Sequence, residues 1–267
     1  VVYRESVSAT SPDVEGKSPN KHNRFYVHVE PLGDAVYQAV KEGSIPEGRV
    51  KGKELQLQLR ELGMGRDQAR NVVDIYQGNM LVNMAKGIVH IGEVIELIVD
   101  AFHSVMDKGP LAEEPLMKAK IVVTDMKLHE DSIHRGPAQV IPAVRHALLA
   151  ATLIASDALF EPMQKLWVQA PHEYMGAITR EIQGRRGQIL DMNQEGELIN
   201  IESKVPVAEM FGFSGEIRSA TEGRALWSTE VMGFELLPES LQKDTVLDIR
   251  KRKGLKIEIP RPDHWLS

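Results

Sequence analysis

Apolar residues recur at helical spacing most clearly over residues 91–106, where Ile91, Val94, Ile95, Ile98, Phe102 and Val105 share one stripe. That stripe predicts a helix, ended by Gly109-Pro110. Shorter stripes predict helices over 33–42, through Val36, Tyr37 and Val40, and over 54–62, through Leu55, Leu59 and Leu62. Residues 3–10 and 25–30 are rich in Val and Tyr and predict strands, with the polar stretch 11–24 as a loop between them. Residues 118–128 alternate, with Ala119, Ile121, Val123 and Asp125 on one side and Lys120, Val122, Thr124 and Met126 on the other, so a strand is expected. The polar segment 129–139, broken by Gly136-Pro137, is expected as a loop. Pro142 suits the first turn of a helix that Val144, Leu148 and Ala151 carry to Ile154.

The pattern changes at Asp157. Ser156, Asp157, Ala158 and Pro162 read as a linker. Beyond it lie a strand over 166–170 and a helix over 172–183 with Met175, Ile178 and Ile182 inward. A strand pair over 187–192 and 198–205 turns at Glu195-Gly196, and a helix over 208–220 and a strand over 225–234 follow. That order predicts a ferredoxin-like split βαβ unit. A last helix is expected over 245–253, capped by Asp244, and Pro260 and Pro262 mark an extended end. The class expected is α+β.

Length allows one to two domains with ample core. The absence of cysteine excludes disulfide frameworks, zinc–cysteine sites and thiol catalysis. The most apolar run, 147–155, falls short of the roughly 20 residues a membrane span needs. The chain opens Val1-Val2-Tyr3 with no initiator methionine and is expected to be a piece entered mid-fold. A net charge of −6 means that any nucleic-acid contact must be local. Two basic places qualify: Lys17, Lys21 and Arg24, and then Arg250, Lys251, Arg252, Lys253 and Lys256.

Few residues carry candidate chemistry. Ser18-Pro19-Asn20-Lys21-His22-Asn23-Arg24 supplies donors of the kind that RNA phosphates and 2′-hydroxyls accept from, and equally fits a solvated hairpin tip. Asn20-Lys21 echoes a guanine-binding motif, but Asn23 stands where that motif has Asp. No Gly-x4-Gly-Lys-Ser/Thr stretch occurs in the chain, so nucleotide binding is rejected. His129 and His134, with Glu130 and Asp131, fit a metal or acid–base site or ordinary exposed loop residues. A zinc set needs three or four donors. Phe211 and Phe213 flank a helix start, where at least one ring is expected in the core, and Arg185 and Arg186 are expected at a solvated helix end or rim.

Four blocks occur in order: Ser18 to Arg24, Leu128-His-Glu-Asp-Ser-Ile-His-Arg-Gly-Pro-Ala-Gln139, Arg186-Gly-Gln188, and Phe211-Gly-Phe-Ser-Gly-Glu216 with Arg218 and Ala220-Thr221. Together they resemble the translation elongation factor 2 family across essentially the whole chain. The resemblance implies a ribosomal-S5-domain-2-like domain over 1–157 (domain IV), a ferredoxin-like domain over 158–236 (domain V), and a helix and tail over 237–267 returning to the first. It implies that His134 is the histidine converted to diphthamide and ADP-ribosylated by toxins. Pro137 and Ala138 look archaeal, where eukaryotic members usually carry glycines. It further implies an RNA-contacting tip made of Ser18, Pro19, Asn20, Lys21, His22, Asn23, Arg24, Asp131, Arg135, Gly136 and Gln139. The function implied is translocation of tRNA and mRNA on the ribosome, through contacts with decoding-site rRNA and the factor-binding region. Diphthamide-synthesis enzymes are further partners, and the location is cytoplasmic. By the same resemblance this chain has no catalytic residue and no cofactor, GTP and Mg²⁺ belonging to a G domain elsewhere in the factor. Two other readings remain: a standalone translation-regulatory module with the same domain pair, and a metal-dependent hydrolase.

Overall fold

The computed structural model describes residues 1–266. In chain order it holds β1 (Arg4–Val7), β2 (Val14–Lys17), β3 (Arg24–Pro31), α1 (Asp34–Glu42), β4 (Gly48–Arg49), α2 (Glu54–Glu61), α3 (Arg66–Arg70), β5 (Val72–Tyr76) and β6 (Asn79–Asn83). Then come α4 (Ile91–Asp107), β7 (Ala119–Lys127), α5 (Pro137–Ile154), β8 (Asp157–Pro171), α6 (Met175–Gly184), β9 (Gln188–Glu195), β10 (Leu198–Pro206), α7 (Phe213–Ala220), β11 (Leu226–Leu236) and α8 (Glu239–Arg252). The class is α+β. Contacts divide the chain into two bodies: Arg4–Leu159 with the residues from Pro238 onward, and Phe160–Leu237 with Val1–Tyr3.

The first body is built on a sheet of order β2-β3-β7-β6-β5-β4, antiparallel except for the β6–β7 pair that α4 connects. The central strand β7 is buried on both faces, which explains why Val122 is as apolar as its neighbours. Ile121 and Val123 join the core under α4 and α5, with Phe25, Val27, Ile98 and Phe102. Val122 joins the core on the other face with Leu32, Val36, Leu59 and Ile75.

Several expected elements change. The predicted loop 11–24 contains β2, paired with β3, a strand masked by the polar run Val14-Glu15-Gly16-Lys17. Gly16 is required there, because a Cβ would come 2.9 Å from the Cβ of Ala147 on α5. Helix α5 begins at Pro137 and not near Pro142: Pro137 occupies the first turn, where its missing N–H costs nothing, and Pro142 lies inside the helix. So extended, α5 is long and apolar enough by length and composition to cross a membrane, contrary to the shorter run expected. Nine of its residues are buried, including Val140, Val144 and Leu148 in the core. The last helix starts at Glu239 behind Pro238, so Asp244 lies within it and caps nothing. The end at Pro262 is a 3-10 turn whose Trp265 packs on the first core.

In the second body the sheet order is β11-β8-β10-β9, all antiparallel, with α6 and α7 packed on one face. The expected linker is instead the start of the continuous 15-residue strand β8. Ile178 and Ile182 are buried as expected, but Met175 opens the helix and is 44% exposed. Phe213 is buried, edge-on to Trp227 at 5.0 Å, and Phe211 is 97% exposed.

Candidate nucleic-acid interface

Strand register brings two polar loops together in the first body. Lys17 opposes Arg24 across β2–β3, and Arg24 opposes Lys127 across β3–β7. The hairpin tip 18–23 therefore leaves the sheet beside segment 128–136, which leads from β7 into α5. Opposed residues share a sheet face, so Lys17, Arg24 and Lys127 make a row of exposed cations at the base of both loops. Glu15 lies 3.7 Å from Lys17 and 3.8 Å from Arg24 and offsets part of that charge. Lys127 was not among the expected residues, since only the register reveals it.

Side-chain amides then lock one loop to the other. Nδ2 of Asn20 and Nδ2 of Asn23 both donate to the main-chain carbonyl of His134, at 2.8 and 2.7 Å. Oδ1 of Asn23 accepts the His129 N–H at 3.0 Å, so this one amide grips both ends of the histidine loop. Oε1 of Gln139, on the first turn of α5, accepts the Asn20 N–H at 2.8 Å. Within the hairpin tip, Ser18 Oγ donates to Asn20 Oδ1 at 2.5 Å and accepts the Asn23 N–H at 3.0 Å. Lys21 sits at φ 63°, a left-handed turn residue that remains exposed.

Three of the residues expected at the contacting surface are buried instead. Ser18 is 2% exposed, Asn23 0% and Arg135 5%. All their polar groups are used internally, which removes them as direct contacts and makes them supports. Arg135 shows the reason most clearly. Its Nη1 donates to the carbonyls of His129 and Glu130 at 2.7 and 2.8 Å, while Nε and Nη2 donate to Glu93 Oε2 at 3.0 and 2.7 Å. The Arg135 guanidinium, with help from His90, holds the Glu93 carboxyl below its usual range. Glu93 lies on α4, outside both loops, and no sequence spacing pointed to it.

Pro19, Lys21, His22, Arg24 and Asp131 are exposed, and Asn20, His134, Gly136 and Gln139 are partly so. Asp131 Oδ1 accepts the Ile133 N–H at 3.1 Å and caps the short turn before His134. Gly136 is the N-cap of α5. Ile133, at 78% exposed, stands out as an apolar side chain among these polar ones.

The imidazoles of His22, His129 and His134 converge, with ring centroids 5.0, 5.0 and 4.4 Å apart. The Asp131 N–H donates to Nδ1 of His129 at 3.0 Å, which puts the proton of the neutral ring on Nε2. Among the described residues no three His, Asp or Glu side chains are placed to share a metal ion, so the hydrolase alternative on His129, Glu130, Asp131 and His134 lacks its ligand set.

Elsewhere several basic residues brace the fold, while Lys251, Arg252 and Lys256 of the second basic group are exposed. Arg250 is buried and donates to the carbonyls of Leu111, Lys256 and Glu258, and burial pulls it below its ordinary value. Lys253 donates to the carbonyls of Ala112 and Glu113. In the second body Arg186 forms a two-pronged pair with the buried Glu161, at 3.0 and 2.8 Å, and Arg185 bonds Glu181 and the carbonyls of Glu209 and Phe211. What remains free to meet a partner at the loops is a cluster of donors and cations, and the chemistry it suits is an RNA backbone.

Comparison with known proteins gives a consistent result. Residues 44–156 match the model of elongation factor G, domain IV, and residues 158–245 match that of the elongation factor G C-terminus. The chain is 55% identical over its full length to elongation factor 2 of Methanosphaera stadtmanae, of which it covers 37%. It is 58% identical over 96% of its length to the Pyrococcus furiosus protein of the same name (35% of that protein) and 54% identical over 98% to that of Thermococcus kodakarensis (36%). The chain thus spans little more than a third of the length of these curated relatives.

Proposed function

The chain belongs to the elongation factor 2 family, and from that premise we propose that it is the ribosome-contacting part of a GTP-dependent factor that moves tRNA and mRNA through the ribosome. The observation that carries this is the double amide clamp on the His134 carbonyl, beside an exposed row of cations. A loop whose histidine must reach RNA needs a fixed backbone, because each flexible residue would lose conformational entropy on contact.

In this reading His134 is the diphthamide position and the target of toxin ADP-ribosylation. Diphthamide-synthesis enzymes act on its partly exposed side chain. Lys21, His22 and Arg24, with Lys17 and Lys127, meet phosphates and 2′-hydroxyls of decoding-site rRNA by shape. Ser18, Asn23, Arg135 and Glu93 hold the loops and make no contact. The second body meets the factor-binding region of the large subunit. GTP and Mg²⁺ bind elsewhere in the whole factor, this chain carries no catalytic step, and it works in the cytoplasm.

The test is binding of the chain to archaeal small ribosomal subunits as a function of salt, together with mass spectrometry of His134 in native protein. Binding that weakens steeply with salt and an adduct on His134 are the expected results. Binding that is absent, or indifferent to salt, overturns the proposal.

A further inference from the structure

Two buried carboxyl groups in the first body take no part in the loops. Glu5, on β1, is 0% exposed. Its carboxylate accepts the backbone N–H groups of Leu111, Ala112 and Glu114, at 2.9, 3.1 and 2.9 Å. The turn is shaped around it, since a Cβ on Gly109 would overlap the Glu5 carboxylate. Beside Glu5 lies Asp157, the first residue of β8, the strand that pairs with β1. Both Asp157 carboxylate oxygens are buried without a well-aligned hydrogen bond, the Ala158 backbone N–H giving them a weak pull at most. Two acceptor groups therefore face one another where water is shut out. An uncompensated pair of buried anions is among the most costly arrangements a fold can hold.

The surrounding charges do not resolve it. Arg250, from α8, feels the Glu5 charge, but its hydrogen bonds go to the carbonyls of Leu111, Lys256 and Glu258. Lys253 is directed to the carbonyls of Ala112 and Glu113 and lies 3.5 Å from Glu114. Glu113 and Glu114 add negative charge on the same turn, and Arg4 precedes Glu5 on β1. A metal ion fits poorly, because three N–H dipoles already point their positive ends at the Glu5 oxygens.

We propose that Glu5 and Asp157 form a built proton-binding site, in which Asp157, as the neutral acid, donates its O–H to the Glu5 carboxylate. The bond accounts for the under-satisfied Asp157 oxygens and for the ring of donors reserved to Glu5, which favours the charge on that partner. Burial first, and then the Glu5 charge, pushes the Asp157 carboxyl well above its ordinary range. Burial also raises Glu5, against the lowering pull of its backbone donors. The proton belongs to the pair as a unit. Two of the chain's passages between its bodies lie just before Arg4 and just after Leu159, and a third lies before Pro238. The shared proton thus fastens the roots of the first two of these connections within the first body.

The sign of the pH dependence follows. The unfolded chain releases this proton near the ordinary aspartate value of about 4, while the folded pair keeps it to higher pH. The stabilisation is complete below the unfolded value and is lost as pH rises through the folded one. The experiment compares wild type with Asp157→Asn, whose amide N–H replaces the O–H donor. The expected wild-type folding constant falls by up to about tenfold per pH unit across that window. The variant curve is flatter, meeting wild type at low pH and exceeding it at pH 8. In parallel, ¹³C NMR of wild type at pH 6 shows one side-chain carboxyl still protonated, and that resonance is missing in Asp157→Asn. Parallel stability curves, or two ionised carboxyls at pH 6, overturn the proposal. So does one bound metal ion per chain whose removal by chelator reproduces the loss.

Discussion

Replacing Asn23 with alanine tests the amide clamp where it is most concentrated. The side chain is 0% exposed and makes three bonds: Nδ2 to the His134 carbonyl at 2.7 Å, Nδ2 to Ser18 Oγ at 3.2 Å, and Oδ1 from the His129 N–H at 3.0 Å. A typical bond contributes about 0.5–1.5 kcal/mol net, and a buried group left without a partner costs about 1–3 kcal/mol. The His134 carbonyl keeps Asn20, so the orphan is the His129 N–H. A loss of about 3 kcal/mol follows, which for a body of this size lowers Tm by roughly 6–12 °C. Urea unfolding followed by circular dichroism gives the free energy, and ¹H–¹³C spectra of the His129 and His134 rings report the loop. Asn20→Ala, at a half-buried residue, should cost about 1 kcal/mol. The double variant should cost more than the sum, because the second deletion strips the last amide from one carbonyl. A loss below about 0.5 kcal/mol for Asn23→Ala, with unmoved ring signals, would refute the clamp.

Other outcomes follow from the same geometry. Lys21→Ala and Arg24→Ala should each reduce the slope of log affinity for RNA against log salt by about one. Arg135→Ala should weaken binding alike at every salt concentration and leave the slope unchanged, because that guanidinium is committed to Glu93 and two carbonyls. The His28 imidazole, assisted by Lys120, draws the Glu30 carboxyl down to about 2. Its contribution is present above the ordinary glutamate value and is lost as pH falls towards 2, so Glu30→Gln should flatten acid unfolding over that window. In the second body, Arg186→Ala leaves Glu161, 3% exposed, as an unpaired buried anion, and urea unfolding should show a loss of about 3–5 kcal/mol.

The strongly periodic elements were legible in the sequence because burial alone determines them. The α4 stripe is buried at Val94, Ile98, Phe102 and Val105, and the order β8-α6-β9-β10-α7-β11 matches the split βαβ expected. Elements set by neighbours were not legible. Strand β2 has too little apolar character to stand out, and it exists because β3 offers a pairing edge and Gly16 lets α5 approach. Residues 66–90, to which no element was assigned, form α3, β5 and β6. At the candidate site, residue type located the two loops but not the role of each side chain. Arg135 reads as a cation for RNA until its burial is known, and Lys127 and Glu93 acquire meaning only through cross-strand register and a contact 42 positions away in sequence.

Because the chain has no cysteine, Ile133→Cys gives a single attachment point on an exposed residue beside His134. A hydroxyl-radical probe tethered there, on the chain bound to archaeal ribosomes, should cut rRNA only around the decoding site of the small subunit. A probe at Leu57→Cys, exposed on α2, should leave those nucleotides intact. If the two probes cut alike, or the Ile133→Cys probe cuts no decoding-site rRNA, then these loops do not touch the RNA they are held in place to meet.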